Sequence, residues 1–254
     1  MDSITVGIIG CGFIGSALKI WLERNNPAVK VLVSDPPKGM NDDLSGADVY
    51  FLQIHVPTED DGTQDLTLMK QLICALPAGK PVFVRTTILP GTSARLTEET
   101  GHPVYFMPEF LTERTYIEDF QNQPMVFTGE IDLLSKIFKG KKFCRMTSLE
   151  AEITKYAHNV FGALKVTYFN AVADYCRRMG ADFANVHTGC LLSGYINETH
   201  TQVPGPDGKF GYGGKCFPKD VNAFADLTKD LPLGKLLAPL HELNVRFRGI
   251  EEHI

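Results

Sequence analysis

The sequence predicts an α/β protein in two parts: a parallel sheet covered by helices over residues 1–146, then a mostly helical domain built on one long helix over residues 147–254. Three observations carry that prediction. The chain has 254 residues, above the usual single-domain size and short of three domains. Apolar residues make up 44% and charged residues 22%, enough for a packed core and unlike a disordered chain. Short apolar runs alternate with amphipathic stretches up to about residue 140, after which a proline-free stretch from Thr147 to Met179 repeats its apolar residues at helical spacing.

Taken in order, strands are predicted at TVGIIG, VKVLVSD, DVYFLQIHV, PVFVRTT and PVYFMPEF, with PMVFTG a sixth. Short continuous apolar runs suit strands buried on both faces. Helices are predicted from Ile14 to Asn25 and over about Leu66 to Leu76. Polar or proline-containing loops follow strands three to six, at the strand ends where an open α/β sheet places its ligands. In the long helix, Thr147 and Glu150 fit a capping box and Gly180 supplies the stop. About 30 residues at 1.5 Å each give roughly 45 Å, more than a small domain's own core needs. Its apolar residues, including Phe161, Leu164, Tyr168, Phe169 and Tyr175, fall on more than one face, so a second surface must cover them and a homodimer is expected. A helix around Phe183 to Leu192, a turn-rich loop from Pro204 to Gly208, the segment GYGGKCFPKD and two closing helices complete the chain. Pro239 is expected to kink or split the last helix.

Charge and cysteine usage exclude several classes. Lys plus Arg number 25 against 30 for Asp plus Glu, a net charge of -5, so no broad positive field exists for a nucleic-acid partner. No apolar run approaches the ~20 residues of a membrane helix, and the acidic start MDSITVGIIGCGFIG is unlike a secretory signal. The six cysteines contain no C-x-x-C pair, so reduced thiols in a soluble cytoplasmic protein are expected, with Cys11, Cys74, Cys144, Cys176 and Cys190 as small core residues. His55, His102, His158, His187, His200 and His241 show no ligand spacing, and no metal is expected.

Gly10-Cys11-Gly12-Phe13-Ile14-Gly15 is a G-x-G-x-x-G turn entered from an apolar strand and left by a helical stretch, the context of a Rossmann-like dinucleotide site. Gly10 and Gly12 allow a tight turn and close approach of a pyrophosphate, and Gly15 allows the helix to pack on the strand. Asp35, twenty positions after Gly15, ends the second strand, where a carboxylate accepts from ribose hydroxyls and repels a 2′-phosphate. NAD is therefore the expected cofactor. Lys155 and Asn159 share one face of the long helix near its start, and together can hold the oxygen of an alcohol losing hydride. In GYGGKCFPKD, a glycine turn leads into Cys216, with Lys215, Lys219 and the helix start after Pro218 favouring a thiolate nucleophile. Asp220 follows one turn later, placed to position a water.

These motifs resemble the UDP-glucose/GDP-mannose dehydrogenases over nearly the whole chain. The resemblance rests on GIIGCGFIG with Asp35, TTILPGT (Thr86 to Thr92), MPEFLTE (Met107 to Glu113), AEITKYAHN (Ala151 to Asn159) and GYGGKCFPKD (Gly211 to Asp220). It implies a nucleotide-sugar 6-dehydrogenase that oxidises a primary alcohol to a carboxylate with two NAD. It also implies that Cys216 traps the aldehyde as a thiohemiacetal that becomes a thioester, that Lys155 and Asn159 stabilise oxyanions, and that Asp220 orients water. Thr87 and Glu113 would hold a proton-accepting water. The implied substrate site is Glu109, Phe110 and Leu111 with Lys155, Asn159, Phe210, Gly211, Tyr212 and Gly213. The expected cofactor set is Gly10, Gly12, Phe13, Ile14, Gly15, Asp35, Val56, Thr58, Thr87 and Glu113.

Two departures from the family pattern stand out. Its members usually continue into a third, Rossmann-like domain, whereas this sequence stops at Ile254, a short form by that measure. The family's Asp-x-Arg-Ile-Gly stretch, whose Arg reaches a neighbouring subunit's substrate, corresponds here to residues 194–200 without an arginine, leaving His200 or Lys209 as substitutes. Two other readings share part of the pattern. A two-electron 6-phosphogluconate-type hydroxyacid dehydrogenase needs the Lys/Asn pair but no cysteine, and a catalytically silent NAD-binding subunit needs only the first motif.

Overall fold

A computed structural model describes residues 3–59 and 62–249. The described chain divides into two compact units. Residues 3–57 and 64–155 form one, and residues 58–59, 62–63 and 156–249 form the other.

The first unit is a Rossmann-like α/β domain. Its strands are β1 (Thr5–Ile9), β2 (Lys30–Asp35), β3 (Met40–Asn41), β4 (Val49–Leu52), β5 (Val82–Val84) and β6 (Val104–Phe106), in the order β3-β2-β1-β4-β5-β6. All neighbours pair in parallel except β2 with the two-residue edge strand β3. Strand order reverses between β1 and β4, so the carboxyl end of β1 lies at the switch point where such sheets bind ligands. The inner strands carry Val, Ile, Phe and Leu because both faces are buried; Val6, Ile8, Phe51, Leu52 and Phe83 are fully enclosed.

Helix α1 (Phe13–Asn25) buries Ala17, Leu18, Trp21 and Leu22 on one side, the i, i+1, i+4, i+5 positions of a single stripe. Each fully buried leucine there contributes about 2 kcal/mol relative to exposure. Helices α2 (Thr67–Cys74) and α3 (Thr92–Thr100) follow, then α4 (Tyr116–Asn122). The sixth expected strand forms as β7 (Met125–Phe127) but lies outside the main sheet. It pairs in parallel with β8 (Phe143–Arg145), across α5 (Ile131–Ile137), as a separate two-stranded sheet. Periodicity reports that a segment is extended and is blind to its partner, hence the difference.

Helix α6 (Ser148–Met179) spans 32 residues, about 48 Å at 1.5 Å per residue, and runs from the first unit into the second. Its expected capping box is present. Thr147 N–H donates to Glu150 Oε2 at 2.7 Å, and Glu150 N–H donates to Thr147 Oγ1 at 3.2 Å. Beyond it, the second unit consists of α7 (Phe183–Leu191), α8 (Phe217–Leu227) and α9 (Pro232–Arg248). Pro239 does not split α9, which continues past it as one helix. Leu237, Leu240 and Phe247 anchor the helix by burial on both sides of the proline, and this packing offsets the missing N–H.

Of the long helix's apolar residues, Phe169 is covered inside the second unit, edge-on to His187. Phe161, Tyr168 and Tyr175 remain about 60% exposed at 60%, 59% and 62%, seven residues apart and hence on one stripe. The cysteine expectation fails at two positions. Cys11 and Cys176 are buried, but Cys74, at the end of α2, and Cys144, in the solvent-facing strand β8, are exposed.

Candidate active site

In the first unit, β1 runs into the glycine turn as expected. Gly10 has φ +84°, in the left-handed region that favours glycine, and a Cβ there would press on the Gln53 carbonyl. Its N–H donates to Ser34 O at 2.9 Å, and Gln53 Nε2 donates to its carbonyl at 3.0 Å. A Cβ on Gly15 would fall on the Gly10 carbonyl, so only glycine lets α1 start this close to the turn. Gly12 is the N-cap of α1, with no capping side chain and no acidic residue in the first turn. Phe13 and Ile14 are half-buried in that turn. Helix N–H groups left for an anion in a positive dipole end suit a pyrophosphate, so these residues fit a dinucleotide. Asp35 Oδ2 accepts from Cys11 N–H at 2.7 Å, and Lys38 Nζ lies 3.7 Å from the same oxygen while donating to Cys11 O at 2.5 Å. Asp35 thus braces the turn as well as standing at the second strand's end.

The remaining first-unit residues occupy the carboxyl ends of β4, β5 and β6. Val56 is buried in the core, and Thr58, half-buried, falls in the segment grouped with the second unit. Thr87 is buried after β5, its carbonyl accepting from Gln64 Nε2 at 3.2 Å. Glu113 is exposed on the loop after β6. Glu109 is buried and makes a closed arrangement with Lys155, which is 3% exposed. Lys155 Nζ donates to Glu109 O at 2.5 Å and to its Oε1 at 3.0 Å, while Glu109 Oε2 accepts from Leu111 N–H at 2.7 Å. The Phe110 ring lies 5.5 Å from the ammonium. Two of the three lysine N–H groups are used by Glu109, and the third is available to a substrate oxygen.

In the second unit, Asn159 lies one turn after Lys155 on α6. Its Nδ2 donates to Asp220 Oδ2 at 2.7 Å, and Lys219 Nζ donates to Asp220 Oδ1 at 2.5 Å. Asp220 is 1% exposed, yet a carboxylate has about four acceptor positions, so each oxygen keeps one for a water. The Asn159 amide likewise has a second N–H. Cys216 is exposed and forms the N-cap of α8, and its carbonyl accepts from Asp220 N–H at 3.0 Å, which sets thiol and carboxylate one turn apart. Tyr156 stacks on Phe224 of the same helix at 5.3 Å, fixing α8 against α6.

The turn before Cys216 is held by buried amides. Gly211 N–H donates to Asn170 Oδ1 at 2.9 Å, Tyr212 N–H donates to Asn244 Oδ1 at 2.7 Å, and Asn244 Nδ2 returns to Tyr212 O at 3.0 Å. Burial pushes the Tyr212 phenol up to about 12, so it stays neutral and donates to Leu240 O. Phe210 is half-buried, its carbonyl accepting from Arg248 Nη1 at 3.4 Å, and Gly213 lies under the same guanidinium. His200 packs edge-on to Phe217 at 5.1 Å. Desolvation, then the charges of Lys165 and His158, hold its imidazole below the ordinary range. A neutral ring there is a poor stand-in for an arginine. Lys209 is exposed on the neighbouring loop. No cluster of three or more metal-ligating side chains occurs among the described residues.

Gln53, Lys38, Asn170 and Asn244 escaped the sequence reading. Only Lys38, three positions after Asp35, had a local signal, since i, i+3 places an ammonium beside a carboxylate in a helical turn.

Residues 149–244 match the family model described as UDP-glucose/GDP-mannose dehydrogenase family, central domain. The UDP-glucose 6-dehydrogenase of Rhizobium meliloti is 30% identical over 211 residues, covering 74% of this chain and 47% of that relative. The GDP-mannose 6-dehydrogenase of Pseudomonas aeruginosa is 32% identical over 203 residues, covering 70% and 46%. The chain thus spans about half the length of the curated relatives it matches. A solved UDP-glucose dehydrogenase from the hyperthermophilic archaeon Pyrobaculum islandicum shares the fold, with a TM-score of 0.77 at 24% identity over 96% of this chain and 68% of that one. No helix among the described residues is long and apolar enough to cross a membrane.

Proposed function

The chain belongs to the UDP-glucose/GDP-mannose dehydrogenase family, and from that premise we propose that it oxidises the primary alcohol of a nucleotide sugar to a carboxylate in two steps, through Cys216. One observation carries the reading. Cys216 is an exposed thiol at the N-cap of α8, and Asp220, one turn into that helix, is bonded to Asn159 of α6. A small apolar filler would be buried and would need neither neighbour.

A bound NAD supplies the hydride acceptor for each oxidation, so two are consumed per alcohol. In the first oxidation, the spare N–H groups of Lys155 and Asn159 stabilise charge on the alcohol oxygen while a water held by Thr87 and Glu113 takes its proton. Cys216 Sγ then bonds to the aldehyde carbon, and the carbonyl oxygen becomes the hydroxyl of a thiohemiacetal. Loss of the second hydride and that hydroxyl proton leaves a thioester. Water held on the spare acceptor positions of Asp220 adds to the thioester carbon, the C–S bond breaks, and the thiolate is released with the acid. The first-unit residues, Gly10 to Gly15 and Asp35, would bind the cofactor's pyrophosphate and adenosine ribose.

UDP-glucose, GDP-mannose and their N-acetyl relatives should be screened for NADH production. Two NADH per substrate is the expected stoichiometry, and one NADH would indicate two-electron hydroxyacid chemistry instead. Cys216→Ala is expected to retain NAD binding and stop acid formation. Normal acid production by that variant removes the thioester route.

The exposed stripe of Phe161, Tyr168 and Tyr175 supports a second proposal, that the chain works as a homodimer. With Leu164, Tyr195 and Ile196, Phe161 and Tyr168 of the stripe border a groove of about 450 Å³ in the second unit. Burying about 100 Å² of each ring would contribute roughly 2.5 kcal/mol apiece. Light scattering should give twice the 28.1 kDa chain mass and one chain mass for Phe161→Asp; a monomeric wild type refutes the dimer.

A further inference from the structure

Arg85 directly follows β5 and is 1% exposed, among the largest fully enclosed side chains of the described residues. Its Nε and Nη1 are buried and have no hydrogen-bond partner among the described residues. A buried guanidinium with two idle donors is costly unless something compensates it. It lines a small cavity with Glu109, Phe110, Leu111, Phe120 and Gln123, of about 20 Å³, room for one sphere of water size.

The charges around that cavity do not balance. Among the described residues that line it, Glu109 is the only carboxylate, and both its oxygens are engaged, Oε1 by Lys155 and Oε2 by Leu111 N–H. Arg85 and Lys141 both lie against the Phe120 ring, at 5.2 and 5.1 Å from its centroid. Lys141 spends its donors on the carbonyls of Phe120, Gln121 and Gln123, which carry partial charge only. Lys155 and Arg85 therefore share one carboxylate, with the Lys141 ammonium close enough to Arg85 to repel it. Burial pushes the Arg85 guanidinium down to about 10, against the pull of Glu109, and the Lys141 ammonium is lowered by burial and then by Arg85.

We propose that the cavity beside Arg85 is a binding site for one small monovalent anion of halide size, held by Nε and Nη1. A water would satisfy the two donors and leave the charge uncompensated, whereas an anion does both. The small volume favours a halide over the larger phosphate, sulfate and carboxylates. Bound there, the anion would offset Arg85 and leave Glu109 committed to Lys155, so that salt composition would reach the loop of residues 108–111. The site stands on the first unit's geometry alone and does not depend on the dehydrogenase reading.

The test compares thermal unfolding in sodium gluconate with mixtures in which chloride or bromide replaces gluconate at constant ionic strength. The wild-type midpoint should rise and saturate, by about 5 °C at a hundredfold excess over Kd. Arg85→Met should lose the response and, in gluconate, should unfold no earlier than wild type, because the uncompensated charge is gone. Arg85→Lys, which keeps the charge and loses the paired donors, should need about ten times more halide, and serves if Arg85→Met does not fold. A bromide-soaked wild-type crystal should show an anomalous peak in hydrogen-bonding reach of Nε and Nη1, a readout that needs no variant. A midpoint indifferent to halide, an unchanged response in both variants, or no bromide peak overturns the proposal and leaves a water site.

Discussion

The glycine turn at Gly10 to Gly15 and the one at Gly211 to Gly214 both bring backbone close to a helix start, but they are held by different means. The first takes its support from the sheet around it: Ser34 at the end of β2, Gln53 just after β4, and Asp35 one residue beyond Ser34. The second has no strand beside it among the described residues. Asn170 of α6 and Asn244 of α9 reach it from 41 and 32 residues away and satisfy its buried N–H groups. A turn inside a βαβ unit inherits its position from the strand register, whereas a turn between helices must be tied by side-chain amides.

The largest effect is expected from Gly15→Val, which drives side-chain carbons into the Gly10 carbonyl. It should cost about 3 kcal/mol or more of the first unit's stability, read by denaturant unfolding, and abolish NAD binding. Tolerance of valine there would mean the sheet does not hold the first turn rigidly. Next is Asn244→Ala, which strands both the N–H and the carbonyl of Tyr212 and should cost about 2–3 kcal/mol in the second unit. If stability were unaltered, the second turn would be self-supporting and the contrast would vanish. The smallest effect is Asp35→Ala. Cys11 N–H loses its acceptor and Lys38 its ion-pair partner, at about 1 kcal/mol together, while NAD affinity should fall about tenfold through the lost ribose contact. An unchanged affinity, measured by calorimetry, would leave Asp35 as a brace for the turn and nothing more.

The contrast extends to what could be read beforehand. Helices α1 and α6 lie within a residue of their expected bounds because long apolar periodicity and the Thr147 capping box are local signals. Helix α3 had none. Its residues Thr92–Thr100 bury only Thr92, Ser93 and Leu96, and its first N–H groups are capped by Glu152 of α6, which accepts from Gly91 N–H at 2.6 Å and Ser93 N–H at 2.9 Å. Strand β8 is exposed throughout and shows no alternation, so neither it nor its pairing with β7 could be seen. At the site, Lys155 and Asn159 were legible as an i, i+4 pair. What each pairs with, Glu109 for the first and Asp220 for the second, rests on contacts 46 and 61 residues apart.

Signals confined to a few neighbouring residues were therefore enough for the α/β alternation, the long helix, both glycine turns and the cysteine that opens α8. Backbone conformation and helical phase are set over one or two turns, so they survive in the bare order of residues. Satisfying buried polar groups is a different problem. Glu109 and Asp220 take their partners, and Nε and Nη1 of Arg85 are left without one among the described residues, according to which segments packing brings together. That choice belongs to the folded chain, because it depends on distances that exist only once the core has excluded water.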